Sequence, residues 1–170
     1  DPTESRGLGD VYKRQFHRAY VLKDDVFEDI AKPTFDVPTR IRTIISADLD
    51  NDGYDEVFMN NIGEPNKLFK IMDNGVLEQL PLDIGLEPDG YGTGAAVADI
   101  DNDGVLELLV SHGESRDQPL SLYKAKVDAN HKYLRVKPLN KYGAPARGAT
   151  VTLISNLRKH SKTIDAGSGY

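Results

Sequence analysis

"ADLDNDGYDE", residues 47–56, sets five acidic side chains among ten residues, around one glycine and between apolar flanks. "ADIDNDGVLE", residues 98–107, repeats it. Asp48 and Asp99 therefore define a period of 51 residues, and the likeness runs beyond the loops, because "TIISADLDNDGYDEVFMNN" lies over "GAAVADIDNDGVLELLVSH". Each copy continues through a polar, glycine-containing connector into an apolar-aromatic segment, "KLFKI" in the first and "LSLYKA" in the second. Upstream, "RAYVLKDDVFEDI" at 18–30 aligns with "KLFKIMDNGVLEQL" at 67–80 as the last half of a preceding unit. Self-similarity at this period marks a stack of supersecondary units rather than a single wound domain.

Within a unit, residues near 42–47, 55–60, 67–72 and 76–80 are rich in β-branched, aromatic and aliphatic types, separated by Asp-Gly or Asn-Gly turn signals. Four short strands every fifty residues are the arithmetic of a propeller blade. Prolines at 33, 38, 65, 81, 88, 119 and 138 interrupt any long helix. The expected fold class is all-β: blades of an incomplete β-propeller, with a partial blade over 16–40 and repeats over about 41–90 and 91–126.

From about residue 127 the charge changes sign. Lys132, Arg135, Lys137, Lys141, Arg147, Arg158, Lys159 and Lys162 meet almost no acid along the chain. "KYLRVKPL" and "ATVTLIS" alternate as half-buried strands do, with a Gly-Ala-Pro turn between them, and "SKTIDAG" supplies a third strand. Residues 127–170 thus read as the first part of a second, small β domain. At the other end, residues 5–15, "SRGLGDVYKRQ", resemble the translation of a sequencing adapter. Residues 1–15 are set aside as an artefact or disordered tail, and the chain reads as a piece of a longer protein that starts near Phe16 and stops abruptly at "AGSGY".

The 170 residues carry a formal net charge of -6 and no cysteine. No disulfide framework or thiolate metal site is open to them, although their compartment is not fixed by that. The acid sits largely in the two loops, which argues against nucleic acid as a main partner. No apolar run approaches the roughly 18 residues of a membrane span, and no secretory signal segment is visible.

In the nine residues from Asp48, carboxylates stand at positions one, three and five, glycine at six and glutamate at nine. Alternate side chains of a tight turn can converge on one centre, and a hard cation such as calcium takes six to eight oxygens. Asp48, Asp50, Asp52 and Glu56 are the candidate side-chain ligands, with the Tyr54 carbonyl at position seven. The second set is Asp99, Asp101, Asp103 and Glu107, with the Val105 carbonyl. Gly53 permits the sharp bend. An EF-hand fails on position twelve, which holds Met59 and Val110, and on its flanks, which read as strands. Zinc fails for lack of histidine or cysteine in either loop.

Catalysis finds little footing. A glycosidase keeps one of two carboxyls protonated across a cleft, whereas these are neighbours in exposed turns, suited to staying ionised. His17 and His160 lie in polar context and His131 precedes a strand. His112, beside Glu114 and Ser115, lacks a nucleophile motif and a third partner. Gly90, Gly92 and Gly94 in "GYGTG" lack the Lys-Ser/Thr of a phosphate loop, so close strand packing explains them better.

These features together resemble the FG-GAP or VCBS-type repeat of integrin-like β-propellers, with "GYGTGAAVADIDNDGVLELLV" supplying the glycine-aromatic-glycine entry, the small-residue strand and the acidic loop. "KYLRVKPLNKYGAPARGATVTL" and "IDAGSGY" narrow the resemblance to the cartilage acidic protein family, whose C-terminal part is the ASPIC/UnbV domain. The resemblance covers nearly all of Phe16 to Tyr170, with residues about 131–170 matching the first half of that domain. It implies a secreted, extracellular, non-enzymatic calcium-binding propeller that contacts a protein or glycan of matrix or cell surface. Position nine is glutamate in both loops, where integrin-like loops more often have aspartate, and vertebrate members bear cysteine that this chain lacks. An alternative of another class is a substrate-positioning module of a larger secreted enzyme; Arg135, Lys137 and Arg147 could also form an acidic-polysaccharide site, but without aromatic interleaving on alternating strands they read better as a solvated face.

Overall fold

A computed structural model describes residues 16–72, 75–81, 91–113, 117–128, 130–155 and 159–164. The described residues contain strands and turns and no helix, as the prolines and the turn spacing require. β1 (Tyr20–Lys23) and β2 (Val26–Asp29) form a hairpin. Its Asp24-Asp25 turn puts both residues at positive φ, 48° and 61°. That geometry matches the right-handed twist of the strands it joins, and aspartate tolerates it better than most residues.

The first full blade is an antiparallel meander in the order β3 (Ile41–Ala47), β4 (Glu56–Asn61), β5 (Lys67–Ile71) and β6 (Leu77–Gln79). The second contains β7 (Gly92–Ala98), β8 (Glu107–His112) and β9 (Ser121–Lys124) in sequential order. A register shift recurs at the same place in both, between Ile41 and Thr43 and between Gly92 and Gly94. The internal repeat is therefore structural down to the irregularity. All-β blades of an open propeller are what the strand spacing predicts and what the sheets form.

β4 is the most buried strand, because it lies inside its own sheet with the second blade on one face and the Phe35 segment on the other. Phe58 and Met59 are neighbours in sequence, point to opposite faces, and are both fully buried. Phe58 joins Ile45, Ala47, Leu49, Ala95, Leu108 and Val110 in the core between the two blades. Met59 joins Phe35, Phe69 and Leu77 on the opposite face, where the Phe35 and Phe69 rings meet edge to face at 5.0 Å. Removing a fully buried side chain of this size costs about 2–5 kcal/mol. The two cores fix β3 and β4, and with them the loop that joins them.

Tight approach between blades explains Gly92 of "GYGTG". A Cβ on Gly92 would land on the Asn60 carboxamide and 2.7 Å from the Asn61 carbonyl oxygen. Asn60, fully buried, donates across the interface to the Gly94 carbonyl at 2.8 Å.

In the basic segment, β10 (Thr150–Ile154) and β11 (Lys159–Thr163) form a hairpin. "KYLRVKPL" departs from its expected strand, since residues 131–138 join no ladder and only Leu139 makes a bridge, to Pro145. The physical reason is that His131, Tyr133 and Arg135 reach the acidic loops instead of a neighbouring strand. The rest of "SKTIDAG" beyond Ile164, and residues 1–15, lie outside the described residues.

Candidate metal centre

The two acidic loops are the β3–β4 and β7–β8 connections, and each folds on its own side chains. In the first, Asp48 Oδ2 accepts from the Gly53 amide at 2.9 Å, Asp50 Oδ1 from Asp52 at 3.1 Å and Asp52 Oδ1 from Tyr54 at 2.8 Å. In the second, Asp99, Asp101 and Asp103 accept from Gly104, Asp103 and Val105 at 3.0, 3.2 and 2.9 Å. Glu56 and Glu107 reach back from the start of the outgoing strand to the amides of Leu49 and Ile100, each at 2.8 Å. Such side-chain turns let aspartate hold a backbone that has no ladder partner. Gly53 takes φ of 85°, as its role at the bend requires, and Asn51 takes 57°; Gly104 and Asn102 repeat this at 90° and 65°.

Six of the ten candidate ligands converge. Oxygens of Asp48, Asp50 and Glu56 lie within 4.8 Å of one another, as do those of Asp99, Asp101 and Glu107. Asp52 and Asp103 join through a shared lysine. Tyr54 and Val105 enter as amide donors to those aspartates.

The lysine is the feature that motif reading missed. Lys70 Nζ lies 2.7 Å from Asp50, 2.6 Å from Asp52 and 3.6 Å from Glu56. Lys124 Nζ lies 2.8 Å from Asp101, 2.8 Å from Asp103 and 2.6 Å from Glu107. Both follow from ladder register: Glu56 is opposite Lys70 and Glu107 opposite Lys124. Counting back from the hairpins would have found them.

The electrostatics are those of a crowded, half-desolvated anion cluster. Burial pushes the Glu56 carboxyl up to about 7, against the Leu49 amide that favours its charged form. Burial likewise raises Asp48 above the usual carboxylate range, opposed by the Gly53 amide. For Lys70 burial acts downward, yet the hydrogen bonds to Asp50 and Asp52 prevail and hold it above its ordinary value. Lys124 is held up by Asp101, Asp103 and Glu107.

Asp48 Oδ1 and Asp99 Oδ1 are buried and accept no hydrogen bond, while the equally buried Glu56 Oε1 and Glu107 Oε1 face only a lysine ammonium, at 3.6 and 2.6 Å. Orphaned buried carboxylate oxygens cost free energy. The first aspartate's Oδ1 is orphaned in both repeats. This donor set, all oxygen, pooled from short turns and gathered within 4.8 Å in each loop, fits a hard divalent cation.

The basic segment covers the loops. His131 Nδ1 donates to the Asp50 carbonyl at 2.9 Å, and Arg135 pairs with Asp99 and donates to Asn102 Oδ1 at 2.7 Å. The Tyr133 ring lies where a Cβ on Gly104 would go. Lys162 pairs with Asp55 at 2.6 Å. Arg135 is thereby engaged by acid of its own chain, which weakens its expected role toward a polysaccharide. His112 pairs within its blade, Nε2 to Ser121 Oγ at 3.3 Å; Glu114 and Ser115 lie outside the described residues.

Residues 48–110, the span from the first acidic loop through the second, match the FG-GAP-like repeat. With the four-stranded meander, this match defines the fold class: an all-β chain, FG-GAP-like over residues 48–110, whose open sheets fit blades of an incomplete propeller. Over 153 residues, 85% of the chain, it is a homologue of cartilage acidic protein 1, at 45% identity to the Homo sapiens and Mus musculus proteins and 46% to that of Xenopus tropicalis. The chain spans about a quarter of those relatives, 23% of the human protein and 24% of the other two. None of these relatives carries an enzyme's name.

Proposed function

We propose that the chain is a calcium-stabilised, non-enzymatic propeller segment of a secreted, extracellular protein that contacts a matrix or cell-surface partner, protein or glycan. The observation that carries the calcium reading is the equivalent buried oxygen left without a partner in each loop, Asp48 Oδ1 and Asp99 Oδ1, beside a buried glutamate Oε1 that faces only a lysine ammonium. Asp48, Asp50, Asp52 and Glu56 would hold one ion, with the Tyr54 carbonyl; Asp99, Asp101, Asp103 and Glu107 the other, with the Val105 carbonyl. Bound calcium supplies the positive charge and the oxygen coordination that the amides and lysine leave incomplete. The chain's own residues do the rest: amides of Gly53 and Gly104 orient the first aspartate, and Leu49 and Ile100 orient the glutamate.

The extracellular, matrix-type reading and the reading of 127–170 as part of an ASPIC/UnbV domain are supported by the likeness to cartilage acidic protein 1. Affinity in the extracellular range, about 0.1–1 mM, suits a module that meets abundant calcium. Calorimetric titration of the chain with calcium, paired with melting curves in calcium and in chelator, tests the reading. Two sites and a raised melting temperature are expected. No heat and no shift from a folded sample would remove it.

A further inference from the structure

Sequence repetition does not place the lysines. The acidic loops recur at 51 residues, whereas Lys70 and Lys124 stand 54 apart, three residues out of step. Both nevertheless arrive opposite the ninth-position glutamate on the third strand of their blade. The connectors differ in length and the ammonium position does not.

An exposed lysine beside a carboxylate is ordinarily worth little. Here the partners are not ordinary: Glu56 and Glu107 are 3% and 4% exposed, and each ammonium draws on three carboxylates. The oxygens taken by the lysine belong to the same residues that a divalent ion would use. An ammonium ion offers three donors and one charge, and Asp48 Oδ1 and Asp99 Oδ1 still lack a partner. It is an incomplete substitute for a metal, held at high local concentration by its strand.

We infer that Lys70 and Lys124 are built-in counter-cations that occupy the carboxylate clusters in the metal-free chain and compete there with calcium. This rests on the calcium reading above. Each loop then has two charge-compensated states, lysine-in and metal-in, and the lysine weakens metal affinity while it lets the blade fold without metal. Repulsion between the ammonium and a cation in the same cluster, screened to a degree between bulk water and a protein surface, makes its removal worth at least about ten-fold in affinity.

The test is calcium titration of the full chain, followed by calorimetry, with melting in chelator as a second readout. Lys70→Met keeps the length and removes the charge. One of the two sites should tighten about ten-fold, melting in chelator should fall, and the shift on adding calcium should grow. Lys124→Met should do the same to the other site, and Lys70→Arg should leave the affinity low. If the wild-type chain binds two calcium ions and Lys70→Met binds them no more tightly, the competition is overturned and the calcium reading stands. Heat from Lys70→Met but none from wild type supports competition while removing the calcium reading of the native chain. No heat from any of them overturns both. Should Lys70→Met fail to fold in chelator, refolding on addition of calcium supports the inference, and remaining unfolded in calcium overturns it.

Discussion

The two acidic loops share their motif and their internal hydrogen bonds but not their surroundings. Leu49 and Ile100 occupy the same second position, yet Leu49 is 8% exposed in the core between blades and Ile100 is 58% exposed. Asp50 and Asp101 differ likewise, at 35% and 59% of their side chains. The first loop has the second blade against it, with Asn51 donating to the Gly104 carbonyl at 2.9 Å. The second meets Tyr133 and Arg135. A loop's shape is written in its own nine residues, and its depth is set by what packs beside it.

The sharpest way to break that comparison is at the second position. Leu49→Ala should cost about 2–5 kcal/mol as a core truncation, whereas Ile100→Ala should fall within about 0.5 kcal/mol of wild type. Urea unfolding of both variants measures the difference, and equal losses would mean that the loops are equivalently buried in solution. Gly104→Ala comes next, since forcing Ala to a φ of 90° costs about 1–2 kcal/mol and its methyl displaces Tyr133. Tyr133→Ala in that background should restore part of the loss, and a double-mutant cycle with no coupling would place the ring elsewhere.

A subtler contrast lies in pH. Glu56 has its folded-state pKa raised to about 7 from 4.5, so the folded chain binds its proton more tightly than the unfolded one. In chelator, Glu56 therefore subtracts stability as pH rises from about 4.5 through 7, and Glu56→Gln should flatten that slope in urea melts at several pH values. Smallest is Lys162→Ala, whose pair with Asp55 is exposed: under about 1 kcal/mol, and vanishing in high salt.

Much of the fold is legible in the sequence because repetition shows it directly. Strands near 42–47, 55–60, 67–72 and 76–80 emerge at 41–47, 56–61, 67–71 and 77–79, since alternation, β-branching and Asp-Gly turns all agree. The carboxylates are legible too, as spacing alone brings the first, third and ninth positions together. "KYLRVKPL" misleads because alternation reports a two-faced extended segment and not what pairs with it. Lys70 and Lys124 escape motif reading because they are distant in sequence and adjacent only through register. Asn51 and Asn102 carry no signal beyond asparagine's tolerance of positive φ.

The contact of Gly92 with Asn60 has a consequence for how such blades may be ordered. One period away, the counterparts of Gly92 and Asn60 are Ile41 and Ser111. A blade that presents Asn60 accepts as its successor one that opens with glycine, and a second copy of itself would bring Ile41 onto that carboxamide. The repeats are thus keyed, not interchangeable, and the order in which they may be strung together is written at the joints between them.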